Sequence, residues 1–163
     1  MLSIRPASEK DMPLLRDMIH EFAKFEKLPA VVTAADLVRD GFGAKPKFRA
    51  LFAEWDGRLA GYAFFFDYYS TFEGRAAIFL EDIYVRDEFR GKGIGGALMA
   101  RVAGIAKRES CFGMRWEVLD WNQPAIDFYR NMGATFLNAW NNVVLKDEAF
   151  ERLASKRNGE ESQ

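Results

Sequence analysis

The residues most able to do chemistry cluster between positions 80 and 96. Leu80-Glu81-Asp82-Ile83-Tyr84-Val85 is followed, after a short connector, by Arg90-Gly91-Lys92-Gly93-Ile94-Gly95-Gly96. Glycines let backbone approach a ligand closely. A helix starting in such a loop offers unpaired N–H groups and a partial positive charge. Together these suit a pyrophosphate. A Walker A loop would need a Ser or Thr hydroxyl for Mg²⁺ after Gly-Lys, and Gly93 stands there. Gly91, Gly93 and Gly96 match the G-x-G-x-x-G spacing of a dinucleotide fold, with Glu117 at a distance suited to a ribose contact. That turn directly follows its strand, however, whereas Arg86 to Arg90 intervene here. A merely tight strand-to-helix turn would need one glycine, not four in six residues.

Glu81 continues the apolar run Ala77-Ile78-Phe79-Leu80. An acid in a buried strand is unfavourable unless it has a partner or a task, and desolvation would raise its pKa into a useful range. Pairing with Arg75 or Arg115, or an exposed edge, would make it ordinary. Asp82 points to the opposite face if the pleat is regular, and a bulge would change that. Cys111 is the single cysteine and His20 the single histidine. An internal disulfide and a multi-Cys zinc site are excluded, and no metal is expected. Cys111 reads as structural or incidental and His20 as a polar-face residue. Lys92 reads as a phosphate contact or a solvated side chain.

The elements that must position these groups can be read from periodicity. Leu2 to Arg5 alternates as a strand, and Ser8 with Asp11 resembles a capping box. Leu15, Ile19 and Phe22 fall at helical spacing, predicting a helix from about Glu9 to Lys27. Thr33 caps a short helix to about Asp40, with Gly41 as its stop signal. Asp56-Gly57 joins the strands Phe48–Trp55 and Arg58–Tyr69 as a hairpin. Ser70 to Gly74 is a polar turn before the strand Ala76–Val85. A helix follows the glycines, then a strand over Met114–Leu119. Asn122 caps a helix through Ile126, Tyr129 and Met132 that Gly133 ends. Ala134–Asn138 and Trp140–Leu145 are expected to form a final strand pair. The order is an antiparallel meander followed by a parallel crossover unit, an α/β (α+β) arrangement.

A chain of 163 residues suits one domain, expected over residues 1–154, with a polar, disordered tail over 155–163. Its net charge of −1 argues against a domain built around nucleic-acid phosphates. No apolar run is long enough for a membrane span, and the N-terminus lacks a signal-peptide pattern. A cytoplasmic location is expected.

Arg90-Gly91-Lys92-Gly93-Ile94-Gly95 resembles the R/Q-x-x-G-x-G/A motif of the GCN5-related N-acetyltransferases, the GNAT superfamily, and the element order is similar over nearly the whole chain. Within that superfamily, Glu21-Phe22-Ala23-Lys24-Phe25-Glu26, Asp40-Gly41-Phe42-Gly43 and Asp120-Trp121-Asn122-Gln123 resemble the spermidine/spermine acetyltransferase branch. Val118-Leu119-Asp120-Trp121-Asn122-Gln123 is most similar to its thialysine N-ε-acetyltransferase members.

The resemblance implies a mixed, mostly antiparallel sheet flanked by helices and splayed at the CoA site. It implies acetyl transfer from acetyl-CoA to a primary amine of a small molecule. Arg90, Gly91, Lys92, Gly93, Ile94, Gly95 and Gly96 would bind the pyrophosphate, and Asn122 would contact CoA as well as cap its helix. Main-chain groups of Ile83, Tyr84 and Val85 would pair with the pantetheine arm as an added strand. Such a reaction needs a base for the ammonium, donors for an oxyanion and an acid for the leaving thiolate. Tyr129, seven residues after the Asn122 cap and on the same helix face, would be the acid and touch CoA. Glu81 would be the base, through water. Phe25, Glu26, Glu81, Asp82 and Trp140 would meet the amine, aromatic and acidic groups together suiting a cation. Ser70 stands where the polyamine-acetylating members carry an aspartate, which favours a thialysine-like acceptor. Another amine (peptide or antibiotic), or a non-catalytic acyl-CoA-binding module, is the alternative. A homodimer is implied, with no nucleic-acid or membrane partner.

Overall fold

A computed structural model describes residues 1–156. It resolves two compact units, one over residues 1–117 and one from Val118 onward.

The first unit is built on a five-stranded sheet of order β1-β2-β3-β4-β5. The strands are β1 (Leu2–Pro6), β2 (Arg49–Trp55), β3 (Arg58–Ser70), β4 (Arg75–Val85) and β5 (Met114–Trp116). The first four pair antiparallel, and β4 pairs parallel with β5. The Asp56-Gly57 turn joins β2 to β3 with both residues at positive φ, as a two-residue hairpin requires. The Ser8–Asp11 capping box opens a 3-10 turn over Glu9–Asp11 that leads into helix α1 (Met12–Glu26), and α2 (Ala34–Phe42) begins at the Thr33–Asp36 box. The first box was legible as Ser followed three residues later by an acid, and Thr33 was legible as a cap without its Asp36 partner. The Arg5 guanidinium also holds Asp11 at 2.8 Å, which drives the Asp11 carboxyl well below the usual range.

Met12, Leu15 and Met18 of α1 are fully buried, with Leu37 of α2, against Ala50, Phe52 and Tyr62. Each such side chain contributes about 1.5–3 kcal/mol of transfer free energy. Alternate residues Leu51, Ala53 and Ala63 face the other way. Helix α3 (Ile94–Arg108) packs on β3 and β4 and buries Ile94, Leu98, Val102 and Ala106.

The second unit holds α4 (Gln123–Asn131) and α5 (Asp147–Ala154). The expected strand pair over Ala134–Asn138 and Trp140–Leu145 does not form; no strand follows Trp116 among the described residues. The first stretch is drawn to the end of α4 instead. Ala134 N–H donates to Tyr129 O, and the Arg130 guanidinium lies over the Phe136 ring at 5.2 Å. Asn138 and Ala139 then turn, and Val143 and Val144 lie exposed. Helix α5 was missed, although Ala149, Phe150 and Leu153 carry helical spacing behind acidic Asp147 and Glu148. The fifth strand is also shorter than expected, stopping at Trp116. Residues 157–163 of the expected tail lie outside the described residues.

Candidate active site

One irregularity in β4 makes the acidic side of the site. Phe64 opposes Asp82 while Phe65 opposes Leu80, so Glu81 is the extra residue of a bulge. The pleat therefore does not send Glu81 and Asp82 to strictly opposite faces, and their charges interact. Asp82 lies on the face shared with Tyr62 and Tyr84, whose rings meet edge-on at 6.3 Å. The fully buried Tyr62 donates its hydroxyl to Asp82 Oδ2 at 2.9 Å. Burial pushes the Asp82 carboxyl up to about 6, reinforced by Glu81 and Glu26 and opposed by the Tyr62 hydrogen bond. Loss of hydration raises Glu26, near the end of α1. Glu81 is exposed as a residue, not buried as its apolar run suggested, yet enough protein surrounds its carboxyl to raise it, with Glu117 adding to the effect. Neither Arg75 nor Arg115 enters the causes of that shift. Asp82 is repelled by both Glu81 and Glu26, and a carboxylate so placed is poised to accept a cation or a proton.

The same strand carries an open edge. The β4–β5 ladder ends at Leu80 opposite Trp116, while β4 runs on to Val85. Arg86 N–H donates to Ala60 O, toward β3. Strand alternation then turns the peptide groups of Ile83 and Val85 to the opposite edge and those of Tyr84 toward β3. An added extended chain would thus find its partners at Ile83 and Val85, and Tyr84 presents its ring. Val85 O already accepts from Arg90 Nε at 3.0 Å. The Arg90 guanidinium lies over the Phe25 ring at 4.7 Å and the Tyr84 ring at 6.0 Å, and pairs with Asp87 at 2.9 Å. It thereby ties the end of α1 to the start of the glycine loop.

In that loop Gly91 and Gly93 have φ of 75° and 76°, values strained for other residues. Gly93 is the N-cap of α3 and offers no side chain to cap it. Its carbonyl accepts from Ala97 N–H, so the N–H groups of Ile94, Gly95 and Gly96 lie ahead of the intrahelical ladder. A Cβ built on Gly91, Gly93 or Gly96 would meet nothing within 4 Å. Open space over uncapped donors at the positive end of a 15-residue helix fits a bound diphosphate. Ile94 is the buried anchor of the turn. Lys92 extends its ammonium over Trp55 and Phe89, 5.1 and 5.8 Å from the ring centroids.

In the second unit, Asn122 caps α4 by accepting from Ala125 N–H at 3.3 Å. Ile126 and Tyr129 form its buried face, with Tyr129 only 6% exposed and tilted against Phe128. Trp140 is 67% exposed in the irregular segment, so it is not the core strand residue its apolar neighbours suggested.

The first unit thus brings together Glu26, Glu81 and Asp82, and separately Phe25 with Arg90. Sequence reading passed over Tyr62, which looked like one more strand aromatic, and the Glu21–Arg86 pair. Arg86 Nε and Nη2 bind the two Glu21 oxygens at 2.8 and 2.7 Å, fixing α1 against the end of β4. No local motif marks such pairs; only the register does.

The model of the Acetyltransferase (GNAT) family matches residues 14–134, across both units. Thialysine N-epsilon-acetyltransferase of Sus scrofa is 39% identical, over 94% of this chain and 97% of that protein. Spermidine/spermine N(1)-acetyltransferase-like protein 1 of Homo sapiens is 37% identical over 91% of this chain but 24% of its own length. The solved structure of the integron cassette protein VCH_CASS6 of V. cholerae superposes with a TM-score of 0.80 at 20% identity, covering 95% of this chain and 98% of that one. Ribosomal-protein-alanine N-acetyltransferase of Brucella melitensis gives 0.73 at 24% identity, covering 90% and 99%. The glycine loop at the head of α3, the β4–β5 ladder that stops at Leu80, and relatives aligned along nearly the full chain lead to one assignment: the chain belongs to the GNAT family of acetyltransferases.

Proposed function

We propose that the protein moves an acetyl group from acetyl-CoA to the primary amine of a small cationic molecule, by direct attack in a ternary complex. The observation that carries this reading is the meeting of Glu26 of α1 with Glu81 and Asp82 of β4, all with raised pKa, on a strand that also presents an open edge. A cationic acceptor is attracted there, and a carboxylate of raised pKa takes its proton more readily near neutral pH.

In this reading the loop from Arg90 to Gly96 and Asn122 hold the CoA portion, and Ile83 and Val85 pair with its pantetheine arm. Glu81, through water, accepts the ammonium proton. The amine nitrogen bonds to the thioester carbon, a backbone N–H of the β4 edge steadies the oxyanion, and the C–S bond then breaks. Tyr129 gives its proton to the departing thiolate; a phenol is protonated at neutral pH. Phe25, Glu26, Asp82 and Trp140 recognise the amine. Residues 1–154 act as one catalytic domain, which the span of the family match supports. The exposed Trp140, Val143, Val144 and Leu145 favour a homodimer. No helix among the described residues is long and apolar enough to cross a membrane; cytoplasmic residence belongs to the same proposal.

The acceptor is a thialysine-like amino acid rather than a long polyamine. Ser70 supplies no carboxylate, and its hydroxyl accepts from Glu73 N–H at 3.2 Å within its own turn. Thiol release from acetyl-CoA across thialysine, lysine, ornithine, spermidine, spermine and a basic peptide tests this. Thialysine should turn over fastest, at least about tenfold above spermidine, the effect of one lost ion pair. A preference for spermidine would reject the acceptor assignment. Binding of CoA without turnover of any amine would reject catalysis in favour of a binding module. In the active enzyme, Tyr129→Phe should lower kcat by about 10²-fold with little change in the KM of acetyl-CoA, the usual scale for a lost general acid.

A further inference from the structure

We infer that Tyr62 is a positioning residue for amine recognition: its hydroxyl fixes one oxygen of Asp82 and leaves the other for the acceptor's ammonium group. This rests on the reading of Asp82 as an amine contact.

The geometry is specific. Tyr62 opposes Tyr84 in the β3–β4 register, and Asp82 lies two residues before Tyr84 on the same face. The Tyr62 ring sits in the apolar cluster formed by Met12, Leu15, Met18 and Phe52, with no solvent exposure. A phenylalanine would fill that space. A hydroxyl there is unfavourable unless bonded, and it bonds Asp82 Oδ2 at 2.9 Å, reaching across the strand pair. A carboxylate on a short side chain is free to rotate. A hydrogen bond from a ring locked by packing removes that freedom before substrate arrives, so less ordering remains to be done on binding.

The bond also opposes everything else acting on Asp82. Burial, Glu81 on β4 and Glu26 on α1 all favour the protonated, neutral acid, and the Tyr62 hydroxyl favours the anion. Tyr84 and Glu26 bear on Tyr62 in turn, and Glu21, Asp87, Arg86 and Arg90 bear on Tyr84. Without the hydroxyl, Asp82 would lose its proton only at a pH above the present value of about 6.

Tyr62→Phe separates this role from a merely structural one. The KM of the amine should rise about five- to tenfold near pH 6.5, on the scale of one charge-assisted hydrogen bond. The rise should be smaller at pH 9, where Asp82 is ionised in both proteins and only the loss of its fixed orientation remains. The KM of acetyl-CoA should stay unchanged. In an Asp82→Asn background the same substitution should add nothing to the amine KM. An unchanged amine KM, or additive effects in the double variant, would overturn the inference. Carboxyl ¹³C titration of Asp82 in parent and Tyr62→Phe gives a readout independent of turnover. An upward shift in the variant is expected, and coincident titrations would overturn the inference. A parent inactive on every amine would instead count against the proposed function, with the Asp82 titration still deciding whether Tyr62 controls that carboxylate.

Discussion

The glycine loop and the carboxylate cluster lie on either side of one strand end, yet they are built in opposite ways. The loop presents main-chain N–H groups whose positions follow from two left-handed glycines and the start of α3. The cluster is made of side chains from α1, β3 and β4, brought together by a bulge and one buried hydroxyl. The loop is a local construction that needs space and positive φ. The cluster is a tertiary one that needs repulsion to be tolerated. Substitutions in the first should damage donor binding, and those in the second should alter acceptor binding, proton transfer and stability.

The largest effect is expected at Gly93. With φ of 76° and the helix N-cap at the same residue, a β-branched side chain is strained and obstructs the donors behind it. Gly93→Val should weaken CoA binding by about 10²-fold, equivalent to about 2.7 kcal/mol. Calorimetric titration with CoA checks this, with a thermal melt to confirm that the variant is folded.

Glu81→Gln should come next. Its carboxyl is raised by burial and Glu117, so the parent's kcat/KM should climb with pH as Glu81 ionises. The glutamine variant should lose that acidic limb and fall by about 10²-fold at its plateau. A profile parallel to the parent's would remove Glu81 as the base.

A subtler effect concerns stability. Asp82 has a folded-state pKa of about 6 against 3.8 in the unfolded chain. Below about pH 3 both states hold the proton and the group is neutral in its effect. As pH rises from about 3 to 6 the unfolded chain releases the proton first, so stability falls, and above that window the loss is constant, at most about 3 kcal/mol. Asp82→Asn, which keeps an acceptor for Tyr62, should therefore melt higher than the parent at pH 8 and alike at pH 3. Scanning calorimetry at the two pH values checks this.

This contrast also explains what could be read from the residues alone. The loop, the Ser8–Asp11 capping box, the Thr33 cap and the Asp56-Gly57 hairpin were legible because each is fixed within a few residues. Glu81 was legible as a candidate from an acid in an apolar run, and Asp82 from the family resemblance. Their actual relation was not, because a one-residue slip opposite Phe64 and Phe65 is set by pairing across strands. Tyr62 was invisible for the same reason: only the register puts its hydroxyl beside Asp82. The strands expected after Ala134 failed differently. Apolar residues alone do not make a strand where no ladder satisfies the backbone and the preceding helix end claims Ala134 and Phe136.

The most direct measurement sets the two regions against each other in one experiment: steady-state KM values for acetyl-CoA and for the best amine, in parent, Gly93→Ala and Asp82→Asn, at pH 8. A crossed pattern is expected, with acetyl-CoA KM raised about tenfold or more only by Gly93→Ala and amine KM raised about tenfold only by Asp82→Asn. Both KM values moving together in each variant would contradict a backbone site for the donor and a carboxylate site for the acceptor.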